Sequence, residues 1–228
     1  MRVNIKGAII NDDDKWVYDY LGVTATSPRD VRDALDKANG EAVDVEINSG
    51  GGDIFAGSEI YTALRNYKNV KIHIVGLAAS AASVIAMAGV CDMSPTAMMM
   101  VHNVSTTSSG DYNAMDKASD ILQKANKTIA AAYTAKTGMT EADALAMMDK
   151  ETWLTAEQAK EKGLIDSIMF GDMVACYNSP MLPKSVIDKI KDTVKSRSNQ
   201  GGFSMPEKRA AAELKILNLK RRTINDKN

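Results

Sequence analysis

Short β-branched runs alternate with helical segments through the first 170 residues, and this alternation limits the fold more than any other feature. Val3 to Ile10 (VNIKGAII), Ala42 to Ile47 (AVDVEI), Val70 to Val75 (VKIHIV) and Ala97 to Val101 read as strands. Between and after them lie helical patterns. Ser27 is the N-cap of one with Pro28 in its first turn, and Val31, Leu35 and Ala38 recur at helical spacing. Others run from about Ile54 to Asn66, from Ala78 to Ala88 and from Asp111 to Lys136. Two more cover Thr140 to Met148 and Thr155 to Lys162, with Gly163 as a C-terminal cap, and Leu164 to Ile168 forms a last strand. Strand and helix in alternation imply βαβ units around a mostly parallel sheet, an α/β fold. Right-handed crossovers then gather the strand-to-helix turns on one edge, where such sheets place their sites. Asn48 to Gly52 and Gly76 to Ser80 both read as turns of this kind.

The end of the chain has a different character. Pro180 and Pro183 mark a linker, and Ser196 to Gly202 is a second flexible stretch. From Lys184 onward there are 12 Lys and Arg against 5 Asp and Glu, which leaves 16 against 24 before it. The expected organisation is a main domain over residues 1–175 and a basic tail over 176–228, in which Glu207 to Arg222 could form a helix or stay solvated.

Composition removes several functional classes. The net charge is -1 and aromatic residues make up 5%, so neither a polyanion-binding surface nor a base-stacking platform is indicated, and no nucleic-acid partner is expected. Cys91 and Cys176 are too few for a disulfide framework or a zinc site. No apolar stretch spans a bilayer, and the N-terminal apolar run is too short and β-branched for a signal peptide. A cytoplasmic protein with no cofactor, no metal and no membrane partner is the expectation.

Histidine is scarce, so any Ser-His chemistry must use His73 or His102. His73 lies within a strand with no small-residue turn beside it and reads as packed under a helix. His102 ends the strand AMMMV and opens a polar loop, on the functional edge of the sheet. Ser80 follows Gly76, Leu77, Ala78 and Ala79 and precedes Ala81 and Ala82. Such small neighbours let a serine sit on a tight turn at a helix N-terminus, where dipole and amides favour an oxyanion. By itself, Ser80 also fits an N-cap serine before a packing helix. Ser83, one turn later, reads as a packing residue. Gly50, Gly51 and Gly52 follow a strand, allow dihedrals closed to other residues, and can aim amides at a carbonyl oxygen. No Gly-Lys-Ser/Thr follows, so this is no phosphate loop.

Taken in order, these segments resemble the Clp-type serine peptidase family. Ile47 to Tyr61 (INSGGGDIFAGSEIY) is similar to the family's Ile-Asn-Ser-Pro-Gly-Gly segment and its following helix. Gly76 to Ala82 (GLAASAA) resembles its serine turn, Met99 to Asn103 (MMVHN) its histidine segment, and Trp153 to Asp166 (WLTAEQAKEKGLID) its segment ending Gly-Leu-Val-Asp. The resemblance covers Val3 to Ile168. It implies a Clp/crotonase-like spiral of βαβ units, with the helix from Asp111 to Lys136 as a subunit-contact handle. It also implies that Ser80 is the nucleophile, His102 its base, and the amides of Gly52 and Ala81 the oxyanion hole. The family's acid position falls on Glu151, with Asp149 two residues away as the alternative. Gly50 replaces the family's proline. The first strand begins near residue 3, so the extension such peptidases use as an axial gate for an ATPase is expected to be missing. A short core with a charged tail looks like the phage head-maturation subgroup, which cuts scaffold or capsid protein in the host cytoplasm. Homo-oligomeric rings and no ATP requirement follow from that resemblance.

Rival readings remain on the same residues. A peptidase serving an ATPase unfoldase is one. A hydratase-like enzyme on the same fold would use Asp53 near the glycine turn. A Ser-Lys dyad would need an apolar anchor, and an inactive ring-forming scaffold would need no site.

Overall fold

The computed structural model describes residues 1–170. The expected basic tail, its linkers and Cys176 lie outside them.

Among the described residues, eight strands form one sheet. Strand β1 (Arg2–Ile9) is followed by helix α1 (Lys15–Leu21) and the short β2 (Ala25–Thr26). Helix α2 (Pro28–Ala38) leads to β3 (Val43–Gly52), α3 (Ile54–Asn66) and β4 (Val70–Ala79). Then come α4 (Ala81–Ala86), β5 (Val90–Met93), β6 (Met98–Val101) and the long α5 (Tyr112–Thr137). Helix α6 (Glu141–Asp149), β7 (Thr152–Leu154), α7 (Ala156–Glu161) and β8 (Ser167–Ile168) complete the order. The main path is β2-β1-β3-β4-β5-β8, parallel at every pairing. Among the described residues, only β6 and β7 pair antiparallel. This is the mostly parallel α/β sheet expected from the alternation, with right-sized crossover helices between strands.

The helices start where local chemistry directs. The Ser27 amide donates to the Asp30 carboxylate at 2.9 Å, closing the reciprocal half of a capping box. Asp53, Asp111, Thr140 and Thr155 cap α3, α5, α6 and α7 by accepting from amides one turn on. One face of the sheet is apolar and wholly buried. Val45, Ile47, Ile72, Ile74 and Met99 on it are 0% exposed, so each contributes about 1.5–3 kcal/mol of burial. Alternate residues of the same strands point away from this core. There Glu46 pairs with Arg2 at 3.2 Å, and Lys71 with Asp92 at 3.0 Å.

His73 belongs to that outer face. Its Nδ1 lies 2.6 Å from Asp92 and its Nε2 3.3 Å from Asp44. Two carboxylates, and not an overlying helix, satisfy the ring; the side-chain direction follows from the period of two along β4.

Both glycine-rich segments differ from their reading as turns. Strand β3 continues through Gly50, Gly51 and Gly52, with Ala8 paired to Gly51 and Ile9 to Gly52 after a register shift. Strand β4 likewise runs on to Ala79. Its first half pairs with β5, and beyond Gly76 it pairs with β6 through Leu77, Ala78 and Ala79. The change of partner is made at a residue without a side chain. A Cβ on Gly76 would stand 2.6 Å from the Asn48 amide oxygen. Helix α1, which buries no residue, and strands β5 and β7 have no counterpart among the expected elements. Among the described residues, no helix is long and apolar enough to cross a membrane.

Candidate active site

The switch of β4 from β5 to β6 determines where Ser80 lies. The Ser80 amide donates to the Met100 carbonyl at 3.0 Å, so the end of β4 stays zipped to β6 until the serine is reached. His102 follows β6 by one residue. The ladder therefore carries both side chains to the same sheet edge, and His102 Nε2 lies 2.7 Å from Ser80 Oγ. That is hydrogen-bond distance for a base and the proton it would abstract.

Ser80 has φ 56 and ψ -127, a conformation costing about 1–3 kcal/mol in a non-glycine residue. The turn projects Oγ out of the strand while α4 begins at the next residue. Ala81 is the first residue of α4, and first-turn amides have no partner inside a helix. Helix α4 is closely packed from behind: a Cβ on Gly57 of α3 would stand 2.9 Å from the Ala81 side chain.

The glycines fit the same turn. Gly51 has φ 91, and a Cβ there would lie 2.6 Å from both the Ala79 carbonyl oxygen and the Ser80 Cβ. Its amide donates to Ser49 Oγ at 3.0 Å, and Ser49 Oγ donates to the Gly7 carbonyl at 2.7 Å. Gly52, with φ 150, lies so close to β1 that a Cβ would meet the Ile9 carbonyl. Only glycine allows β3 to approach both the serine turn and β1 here. Gly51 was legible as part of a glycine run, but its direct approach to Ser80 was not.

Antiparallel register pairs Met99 with Leu154, Met100 with Trp153 and Val101 with Thr152. The last pair is Val101 with Thr152, so His102 and Glu151 are the residues just beyond the ends of β6 and β7. Glu151 itself has φ 46, turning the chain from α6 into β7. Its carboxylate accepts from Trp153 Nε1 at 3.3 Å. Asp149 accepts from the Asn103 side-chain amide at 2.6 Å. Among the described residues, no hydrogen bond joins either carboxylate to His102. Asp53, the carboxylate a hydratase-like site would use, accepts from the Ala56 amide at 2.8 Å as the cap of α3. Cys91 is buried, and burial pushes its thiol up to about 12, so it is held as the protonated thiol at neutral pH.

A cleft of about 420 Å³ opens beside the pair. Gly52, Ser80 and His102 stand at one side, and Val84, Leu122 and Tyr133 form apolar wall. Much of that wall comes from α5, so the long helix is part of the site.

A strained serine on a strand-to-helix turn, hydrogen-bonded to a histidine beside an apolar cleft, is the arrangement that Ser-His hydrolysis requires. The profile of the family described as Clp protease matches residues 34–172, more than half of the chain. The chain belongs to the Clp protease family and is a serine endopeptidase of that type. Two relatives, each described as an ATP-dependent Clp protease proteolytic subunit, come from two strains of Bacteroides fragilis. Each is 28% identical over 155 residues, covering 66% of this chain and 74% or 70% of the relative.

Proposed function

We propose that Ser80, His102 and Glu151 form the catalytic triad of this peptidase, with the amides of Gly52 and Ala81 as its oxyanion hole. The observation that carries the reading is the 2.7 Å contact between Ser80 Oγ and His102 Nε2 on a strained turn. Ser80 Oγ attacks the scissile carbonyl carbon while His102 Nε2 takes the hydroxyl proton. The carbonyl oxygen becomes an oxyanion, which the two amides stabilise. Collapse breaks the C–N bond, and His102 returns the proton to the departing amine. Water, deprotonated by the same imidazole, then cleaves the acyl-serine ester. In this reading Glu151 orients the imidazole through its other nitrogen; it directly precedes Thr152, the partner of Val101 in the last β6–β7 pair, as His102 directly follows Val101.

Residues 1–175 are read as the peptidase domain and 176–228 as a basic tail. A Clp-type core with such a tail supports an ATP-independent phage prohead or capsid-maturation protease. It would assemble as homo-oligomeric rings and cut scaffold or capsid protein in the bacterial host cytoplasm. A second reading, a peptidase fed by an ATPase unfoldase, is favoured by the description of the two relatives as ATP-dependent. Incubation of the full chain with casein, without nucleotide and beside Ser80→Ala, separates these. Cleavage by wild type alone supports the serine mechanism and ATP independence. Cleavage only with an added unfoldase and ATP favours the second reading. No cleavage in either condition by a folded, assembled sample favours an inactive scaffold.

A further inference from the structure

A hydroxyl group buried among apolar side chains must find a partner. Ser83 on α4 is 0% exposed and Tyr133 on α5 is 1% exposed. Ser83 Oγ donates to the Ser80 carbonyl oxygen at 2.7 Å. A carbonyl has no proton to give, so the single Ser83 proton is spent on that bond. The 2.8 Å contact between Ser83 Oγ and the Tyr133 hydroxyl therefore runs one way, with the phenol donating. Burial pushes the Tyr133 phenol up from its ordinary value, outweighing the Ser83 hydrogen bond, so its proton stays in place at neutral pH.

The result is a directed relay, from Tyr133 to Ser83 to the Ser80 carbonyl. It joins α5 to Ser80, whose own backbone dihedrals are strained. The Ser83 amide reinforces the same acceptor at 2.9 Å. We propose that Tyr133 is a positioning residue for peptide hydrolysis, which acts through Ser83 to hold the Ser80 turn at the angle where Oγ meets His102. This rests on the Ser80–His102 reading given above. Tyr133 also lines the cleft, so Tyr133→Phe removes the donor and keeps the ring in the wall.

The test is fluorophosphonate labelling of the full-length chain, followed as a function of probe concentration. Ser83→Ala is expected to lower the maximal labelling rate about tenfold, because a small displacement of a nucleophile has a large kinetic cost. Tyr133→Phe is expected to lower it about threefold to fivefold, with the half-saturating concentration unchanged in both. The double variant is expected to be no slower than Ser83→Ala alone, since both changes break one relay. Rates within about twofold of wild type for both single variants, or losses that multiply in the double variant, overturn the proposal. So does a loss that resides in the half-saturating concentration. Ser80→Ala separates the levels. If it still labels at the wild-type rate, the Ser80 reading falls and the proposal with it. If it is silent while the two single variants label normally, the positioning role alone falls.

Discussion

Gly51 and Ser80 approach so closely that a Cβ on the glycine would stand 2.6 Å from that of the serine. The same added atom would lie 2.6 Å from the Ala79 carbonyl oxygen, on a backbone already at φ 91. Neither obstacle is a flexible side-chain end. Gly51→Ala is therefore expected to displace the serine turn and reduce fluorophosphonate labelling by about 100-fold. It should also cost more than about 1 kcal/mol in stability, read from urea unfolding. Labelling within a few-fold of wild type would show that the turn tolerates the displacement.

The proposed acid role gives Glu151 a different expectation from Asp149. Glu151→Gln keeps the shape and removes the charge that steadies an imidazolium, so kcat should fall by about 10²- to 10⁴-fold. Asp149→Asn breaks a charge-assisted bond to Asn103, the neighbour of His102, and should lower kcat by less than about tenfold. Steady-state hydrolysis of one peptide substrate by both variants checks the order. The reverse order would move the acid role to Asp149.

Asp166 ties three parts of the chain together. Its Oδ2 accepts from the Cys91 amide at 2.7 Å and from Lys136 Nζ at 2.5 Å, while the lysine also donates to the Gly89 carbonyl. Burial raises its pKa, but the Cys91 amide and the Lys136 ammonium outweigh this and hold it below the usual carboxylate value. A carboxylate lowered on folding stabilises the fold above its unfolded pKa, and that contribution is lost as pH falls through the folded value. The Asp166 side chain is 47% exposed, so screening keeps the cost of Asp166→Asn at neutral pH to about 0.5–1 kcal/mol. The gap to wild type should close as acid titrates the wild-type group. Urea unfolding across that range measures it, and a pH-independent gap would assign the loss to packing.

Burial of Cys91, with its thiol pushed up to about 12, makes it a protected marker of the intact sheet. Iodoacetamide should leave the Cys91 peptide unmodified in the folded protein and alkylate it in denaturant, as read by peptide mass mapping. Alkylation under native conditions would show that β5 opens readily.

Much of this architecture was legible because strand and helix alternate in long, strongly patterned runs. Elements that lack a pattern were not. Helix α1 has no buried residue and so no apolar stripe, while β5 and β7 span four and three residues. The glycine segments at Gly50–Gly52 and Gly76–Ala79 carry turn composition, yet neighbouring strands supply the ladder that keeps them extended. Ser80 and His102 stood out because histidine is scarce and small residues surround the serine. The acid did not, because Asp149 and Glu151 lie two residues apart with nothing in the local sequence to choose between them. The Tyr133 relay joins residues 50 apart, and that pairing is created by the packing of α5 on α4.

The central claim, that Ser80 is a nucleophile activated by His102, is tested most directly by mapping the fluorophosphonate adduct on the intact chain. One adduct, on the peptide containing Ser80 and absent from His102→Ala, is the expected result. No adduct on the folded wild-type protein, or an adduct at Ser80 that persists unchanged in His102→Ala, would contradict it.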